Sequence, residues 1–368
     1  MDGLSNILGL GLTSHAAAAQ YGPRPLPLFL ELLRSETAAS PERLKAALAG
    51  LRRFQTEPRP ADARPTTTVA SVGNARLLDV GGSGPAVVFV PSLINPATIL
   101  DLAPDVSLLR WLSTRGLRPL LVDWGAPDDL GLDLAGHAEH RLLPLLDGLE
   151  DAPMLVGYCL GGTLAVAAAA LRPVSALALI ATPWTFSGYS DAARASIADL
   201  WRQSRPAEEA IGQVPMEMLQ AGFWQLDPAA VVDKFARFAR LPAGTATGRF
   251  VAVEDWANAG APLTLPAGRD VFERLFGADE TGRGQWRVAG RTIVPERLAM
   301  PVLNILSTTD RITPAAAAIR VGETIRLDLG HVGMIVGSRA RTALWEPLAD
   351  WLNKPHVPIQ QDQPEDAI

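Results

Sequence analysis

A six-residue turn, Gly157-Tyr158-Cys159-Leu160-Gly161-Gly162, limits this chain more than any other stretch. It follows an apolar run that reads as a buried strand and opens an alanine-rich run that reads as a helix, the setting a nucleophile elbow requires. Such a turn holds residue 159 in a strained conformation at the end of the strand, with its side chain facing a pocket. Glycines flank it because the backbone there packs too tightly for a Cβ. The following helix points its N-terminus at the same spot, which favours a thiolate and offers the Leu160 N–H to a developing oxyanion. A buried structural cysteine is the ordinary fate of a free thiol. Against that stand the position and the fact that Cys159 is the only cysteine in 368 residues. The same fact excludes an intrachain disulfide and a cysteine-rich zinc site.

Around the turn, strands and helices alternate. Thr67–Val72 and Arg76–Asp79 read as a hairpin, and Ala86–Val90, Pro119–Asp123, Pro153–Gly157 and Ala176–Ile180 as buried strands. Helices are expected over Leu108–Thr114, Ala138–Leu149 and Leu160–Leu171. This pattern predicts a parallel sheet covered on both faces. It breaks off near Pro183 and resumes at Pro301–Ser307, Thr324–Leu327 and a last helix around Arg339–Leu352. The intervening stretch carries Trp184, Trp201, Trp224, Trp256 and Trp286 with several phenylalanines, and reads as a cap over the sheet, its aromatics mostly forming the cap's own core. The expected division is 1–65 N-terminal helices, 66–184 and 299–354 the two parts of the core, 185–298 the cap, and 355–368 a disordered tail. In the N-terminal part, Ser40 before Pro41 reads as a helix start, and Leu44, Leu48, Leu51 and Phe54 as one apolar stripe. Thr56–Pro65 reads as a linker.

Composition excludes several partners. Lys and Arg number 33 against 39 Asp and Glu, a net charge of -6 with no basic stripe, so nucleic acid has no electrostatic footprint. The uncharged run Met154–Leu171 approaches the length of a membrane span, but its glycines fit a strand, turn and buried helix better. The opening residues lack a secretory signal, which predicts a cytoplasmic protein without a transmembrane segment.

A thiol nucleophile needs a base and an orienting acid, arriving in the order nucleophile, acid, histidine. Only His331 and His356 follow Cys159, and His356 lies in the polar tail. His331 stands in Leu329-Gly330-His331-Val332-Gly333, directly after an expected strand. Asp310 closes a strand and short loop and can reach its far nitrogen; Asp328, on the strand itself, is the weaker rival. His15, His137 and His140 read as surface or helix positions. The expected catalytic set is Cys159, Asp310 and His331.

These residues resemble the polyhydroxyalkanoate synthases, and among them the shorter, class III-type catalytic subunits. Val90-Pro91-Ser92-Leu93-Ile94-Asn95 with Leu100-Asp101-Leu102 is similar to the family's Pro-Pro-x-Ile-Asn…Asp-Leu segment, and Asp123-Trp124-Gly125-Ala126-Pro127 to its Asp-Trp-Gly-x-Pro loop. Gly157–Gly162 has its Gly-x-Cys-x-Gly-Gly form. Val253-Glu254-Asp255-Trp256 resembles a Glu-x-Trp element, and Pro301–Asn304 with Asp310 and Gly330–Gly333 resemble the segments carrying acid and base. Ser92, Thr98 and Arg311 depart from the family's usual Pro, Tyr and His.

The resemblance implies an α/β-hydrolase fold, with a mostly parallel central sheet and an inserted cap domain. It makes Cys159 the acyl-bearing nucleophile, His331 the base and Asp310 its partner, and places the second oxyanion donor at the Leu93 N–H beside that of Leu160. It implies an acyltransferase polymerising 3-hydroxyacyl-CoA into polyhydroxyalkanoate with release of CoA, which is substrate and product rather than cofactor; no cofactor or metal is expected. Expected partners are the acyl-CoA, the growing polyester, a granule surface, and a second synthase subunit or a homodimer. Two other readings stand beside it: a cysteine hydrolase of the same fold (thioesterase, esterase or polyester depolymerase), and a non-catalytic granule-associated relative.

Overall fold

The computed structural model describes residues 21–59 and 64–356. His15, the first part of the N-terminal segment, part of the expected linker and nearly all of the expected tail lie outside them.

Eight strands form the central sheet: β1 (Thr67–Val72), β2 (Ala75–Asp79), β3 (Ala86–Val90), β4 (Arg118–Asp123), β5 (Met154–Tyr158), β6 (Ala176–Ile180), β7 (Val302–Ser307) and β8 (Glu323–Leu327). Their spatial order is β1-β2-β4-β3-β5-β6-β7-β8. Strand β2 pairs antiparallel with both β1 and β4, while every other pairing is parallel. The exchange of β3 and β4 puts β3 beside β5, with Phe89 opposite Val156 and Val90 opposite Gly157. This is the α/β-hydrolase topology, with β5 the strand that delivers a nucleophile.

Why these segments are strands follows from their surroundings. Val87, Val88, Phe89 and Val90 are all fully buried, although their side chains point to opposite faces. Val88 and Val90 join one apolar cluster, with Leu120, Val122, Leu155 and helix Leu160–Leu171. Val87 and Phe89 join the other, with Leu121, Val156 and the helices Leu108–Ser113 and Glu346–Leu352. A strand buried on both faces therefore reads as unbroken hydrophobicity, and only the two clusters reveal its period of two. The uncharged run Met154–Leu171 resolves into β5, the turn and a helix, and among the described residues no helix is long and apolar enough to cross a membrane.

Between β6 and β7 lie the helices Asp191–Ile211, Met216–Gln225, Pro228–Phe238 and Thr245–Ala257, which close over the carboxyl ends of the strands. Two N-terminal helices, Leu26–Glu36 and Pro41–Thr56, brace them. Ser40 caps the second, its side chain accepting the Arg43 N–H at 3.3 Å. The apolar stripe of that helix differs from the expected one. Ala47, Gly50, Leu51 and Phe54 are buried, whereas Leu48 is 42% exposed. The buried set keeps helical spacing through small residues that a count of leucines overlooks. Gly50 is needed there, because a Cβ would lie 1.8 Å from the Phe235 carbonyl oxygen. Helix Pro41–Thr56 thus meets helix Pro228–Phe238 almost backbone to backbone, and Arg43 pairs with Asp233 at 2.8 Å.

This contact corrects the expectation that the aromatics of the insertion mostly pack among themselves. Phe235, Phe238 and Phe250 share one cluster with Phe29 and Phe54 from the N-terminal helices. Others, including Phe223, Trp224, Trp256 and Phe276, line a cavity.

Candidate active site

The turn after β5 puts Cys159 at φ 55°, a left-handed conformation that costs a non-glycine residue free energy. Its neighbours hold it there. The Cys159 N–H donates to the Ile180 carbonyl at 2.9 Å and its carbonyl accepts the Gly162 N–H at 2.9 Å. A Cβ at Gly161 would lie 2.2 Å from the Val90 oxygen, and one at Gly162 would lie 1.8 Å from the Thr182 hydroxyl. The sequence demands glycine at both places, and the close approach presses the end of β3 onto the start of helix Leu160–Leu171.

Three side chains from three different strand ends converge. Cys159 follows β5, Asp310 follows β7 and His331 follows β8. Asp310 Oδ2 lies 2.6 Å from His331 Nδ1, and both side chains are almost sealed from solvent. The other Asp310 oxygen accepts the N–H groups of Ile312 at 2.8 Å and Thr313 at 3.0 Å, so the carboxylate cannot rotate away. Cys159 lines the same cavity as that imidazole and acts on it electrostatically. Burial alone would keep that imidazole neutral, but the neighbouring Cys159 and Asp310 outweigh it and push His331 up to about 10. The ring therefore favours its protonated form at neutral pH.

The remaining candidates fall elsewhere. Asp328 is exposed and pairs with Arg339 at 3.1 Å. His356 meets Trp351 in a tilted ring contact, and His140 is exposed. His137, expected at a surface or helix position, is on a helix but buried, donating to or accepting from no catalytic group; its Nδ1 meets the Asp133 carbonyl at 2.7 Å. Arg311, next to the acid, turns outward: its side chain is 67% exposed and pairs with Asp227 at 2.5 Å.

Of the two expected oxyanion donors, the Leu160 N–H is the first of its helix, where no helical carbonyl can satisfy it. Leu93 sits in the loop after β3 between Ser92 and Ile94, both of which line the cavity, while its own side chain faces a small separate hollow beside Trp124. The Ile94 N–H is taken by the Ser92 hydroxyl at 3.1 Å.

Cys159 opens into a cavity of about 840 Å³. Its walls are dominated by apolar side chains, among them Ile94, Leu219, Phe223 and Phe272, with Lys234 held by Glu254 at 2.8 Å. Sequence reasoning missed Tyr158, although it stands inside the turn. Its hydroxyl donates to the His331 carbonyl, and burial, then Cys159, drives the phenol well above its usual range.

The topology and the cysteine elbow together define an α/β-hydrolase fold carrying a cysteine, histidine and aspartate constellation. Comparison with known proteins narrows the class. The chain is similar to poly(3-hydroxyalkanoate) polymerases: it is 29% identical over 284 residues to the polymerase subunit PhaC of Haloferax mediterranei, covering 72% of this chain and 58% of that one. The PhaC subunit of Haloarcula marismortui is 26% identical over 305 residues, 76% of this chain and 64% of its own. That of Thiocystis violacea is 24% identical over 290 residues, 73% of this chain and 80% of its own. The chain thus spans less than two thirds of the two haloarchaeal relatives. No family model matches it. Solved structures similar to it include an esterase from Thermogutta terrifontis, 19% identical, covering 80% of this chain and 100% of that one with a TM-score of 0.46. An epoxide hydrolase from hot-environment metagenomes is 18% identical, covering 79% and 99%, with a TM-score of 0.48.

Proposed function

We propose that this chain is an acyltransferase that polymerises 3-hydroxyacyl-CoA into polyhydroxyalkanoate through a thioester on Cys159. The observation that carries the reading is a thiol on a strained elbow beside a buried histidine–aspartate pair, inside an apolar cavity, in a chain similar to poly(3-hydroxyalkanoate) polymerases.

The charge state of His331 sets the order of events. The Cys159 thiolate attacks the thioester carbonyl, and the oxyanion is met by the N–H groups of Leu160 and Leu93. Protonated His331 gives its proton to the departing CoA sulfur. Forming the acyl-enzyme ties up the Cys159 sulfur and so removes one of the two influences that raise His331. The imidazole is now a base and takes the proton of an incoming 3-hydroxyl, whose oxygen attacks the enzyme thioester to make one ester bond and restore the thiolate. Exchange of one thioester for another is nearly balanced in free energy, so a sulfur nucleophile loads and unloads readily, whereas serine would form a more stable ester. Water in the cavity would compete with the hydroxyl, and the apolar walls keep it out.

No cofactor enters this scheme, since CoA arrives with the substrate and leaves as product. We place the protein in the cytoplasm, at a polymer granule surface, with a further subunit or a second copy as its partner; the coverage of the Thiocystis subunit supports the shorter type of catalytic subunit. The test is purified protein with 3-hydroxybutyryl-CoA. Released CoA with polyester supports the proposal, and released CoA with only free hydroxy acid makes the chain a thioesterase. An inert protein would be a non-catalytic relative.

A further inference from the structure

Two tryptophans lie at the two ends of the loop that follows β3. The Trp124 indole N–H, from the loop after β4, donates to the Pro91 carbonyl at 3.0 Å. The Trp256 indole N–H, from the cap helix Thr245–Ala257, donates to the Pro96 carbonyl at 2.8 Å. One anchor belongs to the sheet and the other to the cap.

The loop between them has few free donors. Pro91 and Pro96 have no N–H, and the Ile94 N–H is committed to the Ser92 hydroxyl. That leaves Ser92, Leu93 and Asn95. The start of the loop is pressed against the helix that supplies the Leu160 N–H, since Gly161 touches the Val90 and Pro91 carbonyls. A donor from this loop therefore shares one small space with that of Leu160. Oxyanion stabilisation depends on donors already in place, and a displacement of well under an ångström weakens it steeply.

We infer that Trp124 and Trp256 are positioning residues that hold this loop at the geometry the oxyanion needs, and that Trp256 makes the geometry depend on the seating of the cap. The inference rests on the proposed acyl transfer at Cys159. The cap helix is well placed for such coupling, because the residues before Trp256 are themselves tied down. Glu254 pairs with Lys234 on helix Pro228–Phe238, and Asp255 pairs with Arg59 at 3.0 Å, just past the N-terminal helices. Three consecutive side chains thus connect helix 228–238, the N-terminal segment and the loop after β3. A buried indole finds an acceptor in most proteins; here both acceptors are the terminal carbonyls of one short loop beside the nucleophile.

The test compares the full-length protein with Trp256→Phe and Trp124→Phe, which keep an aromatic ring and lose the N–H. Steady-state CoA release from 3-hydroxybutyryl-CoA gives kcat and KM, and inactivation by iodoacetamide across pH reports the thiolate–imidazole pair without using the oxyanion site. For Trp256→Phe we expect kcat to fall on the order of tenfold, KM to move less than about twofold, and the alkylation profile to stay unchanged. An unchanged kcat overturns the inference. So does a parallel loss of kcat and alkylation, which would make Trp256 a general structural residue. Absence of CoA release from the unaltered protein would instead sink the acyl-transfer reading beneath it.

Discussion

Tyr158 lies nearly parallel to the imidazole of His331, with ring centroids 5.1 Å and planes 29° apart, while its hydroxyl donates to the His331 main-chain carbonyl at 3.2 Å. His331 is thus held from two directions. Asp310 fixes one ring nitrogen, and the residue beside the nucleophile fixes the backbone and the face of the ring. Tyr158→Phe keeps the stack and removes the hydrogen bond. Its expected cost is about 1 kcal/mol of stability, read from urea unfolding, with kcat reduced several-fold.

Cys159→Ala removes the nucleophile while leaving the elbow in place. CoA release should fall by at least ~10³-fold. The fold should be retained, because alanine occupies the same backbone position. Differential scanning calorimetry alongside the activity assay separates loss of chemistry from loss of fold.

The charge of His331 has a consequence for stability. Its ordinary value is 6.5 and the folded value is about 10, so the protonated ring binds its proton more tightly in the native state. That contribution is complete below about 6.5 and disappears as pH rises through about 10. Urea midpoints between pH 7 and 10 should therefore decline more steeply for the unaltered protein than for Asp310→Asn, which lacks one of the two groups that raise the ring. Equal slopes would contradict the assignment.

Gly161→Ala tests the close approach of β3 to the helix. The added methyl would lie 2.2 Å from one backbone oxygen and 2.3 Å from another, and neither can swing aside as a side chain would. The expected loss is about 2–3 kcal/mol, as for an overpacked core position, measured by chemical denaturation. Gly116 offers a contrast in which crowding plays no part, since a Cβ there meets no atom within 4 Å and only its φ of 77° resists substitution.

Arg311, next to Asp310 in sequence, turns its guanidinium away to Asp227 and is mostly solvated. Arg311→Ala should change kcat less than about twofold and stability by no more than about 1 kcal/mol, as expected of an exposed ion pair.

Much of this was legible in the sequence for definite reasons. The all-apolar strands β3, β5 and β6 are buried on both faces, so their residues carry the pattern undiluted. The elbow is legible because only glycine survives the contacts at 161 and 162. The order Cys159, Asp310, His331 follows from β5, β6, β7 and β8 running parallel, so that the ends of β5, β7 and β8 face the same way. What stayed hidden depends on pairings far apart along the chain. Nothing local in Trp256 announces the Pro96 carbonyl, and nothing local in Gly50 announces Phe235. The expected stripe of the second helix fails at Leu48 because the buried face uses Ala47 and Gly50, residues whose value lies in their smallness. Tyr158 is silent in the sequence because its hydroxyl bonds a backbone carbonyl, which leaves no trace in a motif.

The most direct measurement is the mass of the protein itself during turnover. Rapid acid quench with 3-hydroxybutyryl-CoA, followed by peptide mass analysis, should find a hydroxyacyl group on the peptide containing Cys159, formed as CoA appears and absent from Cys159→Ala. CoA released with Cys159 unmodified throughout, or an acyl group carried by another residue, would contradict the account.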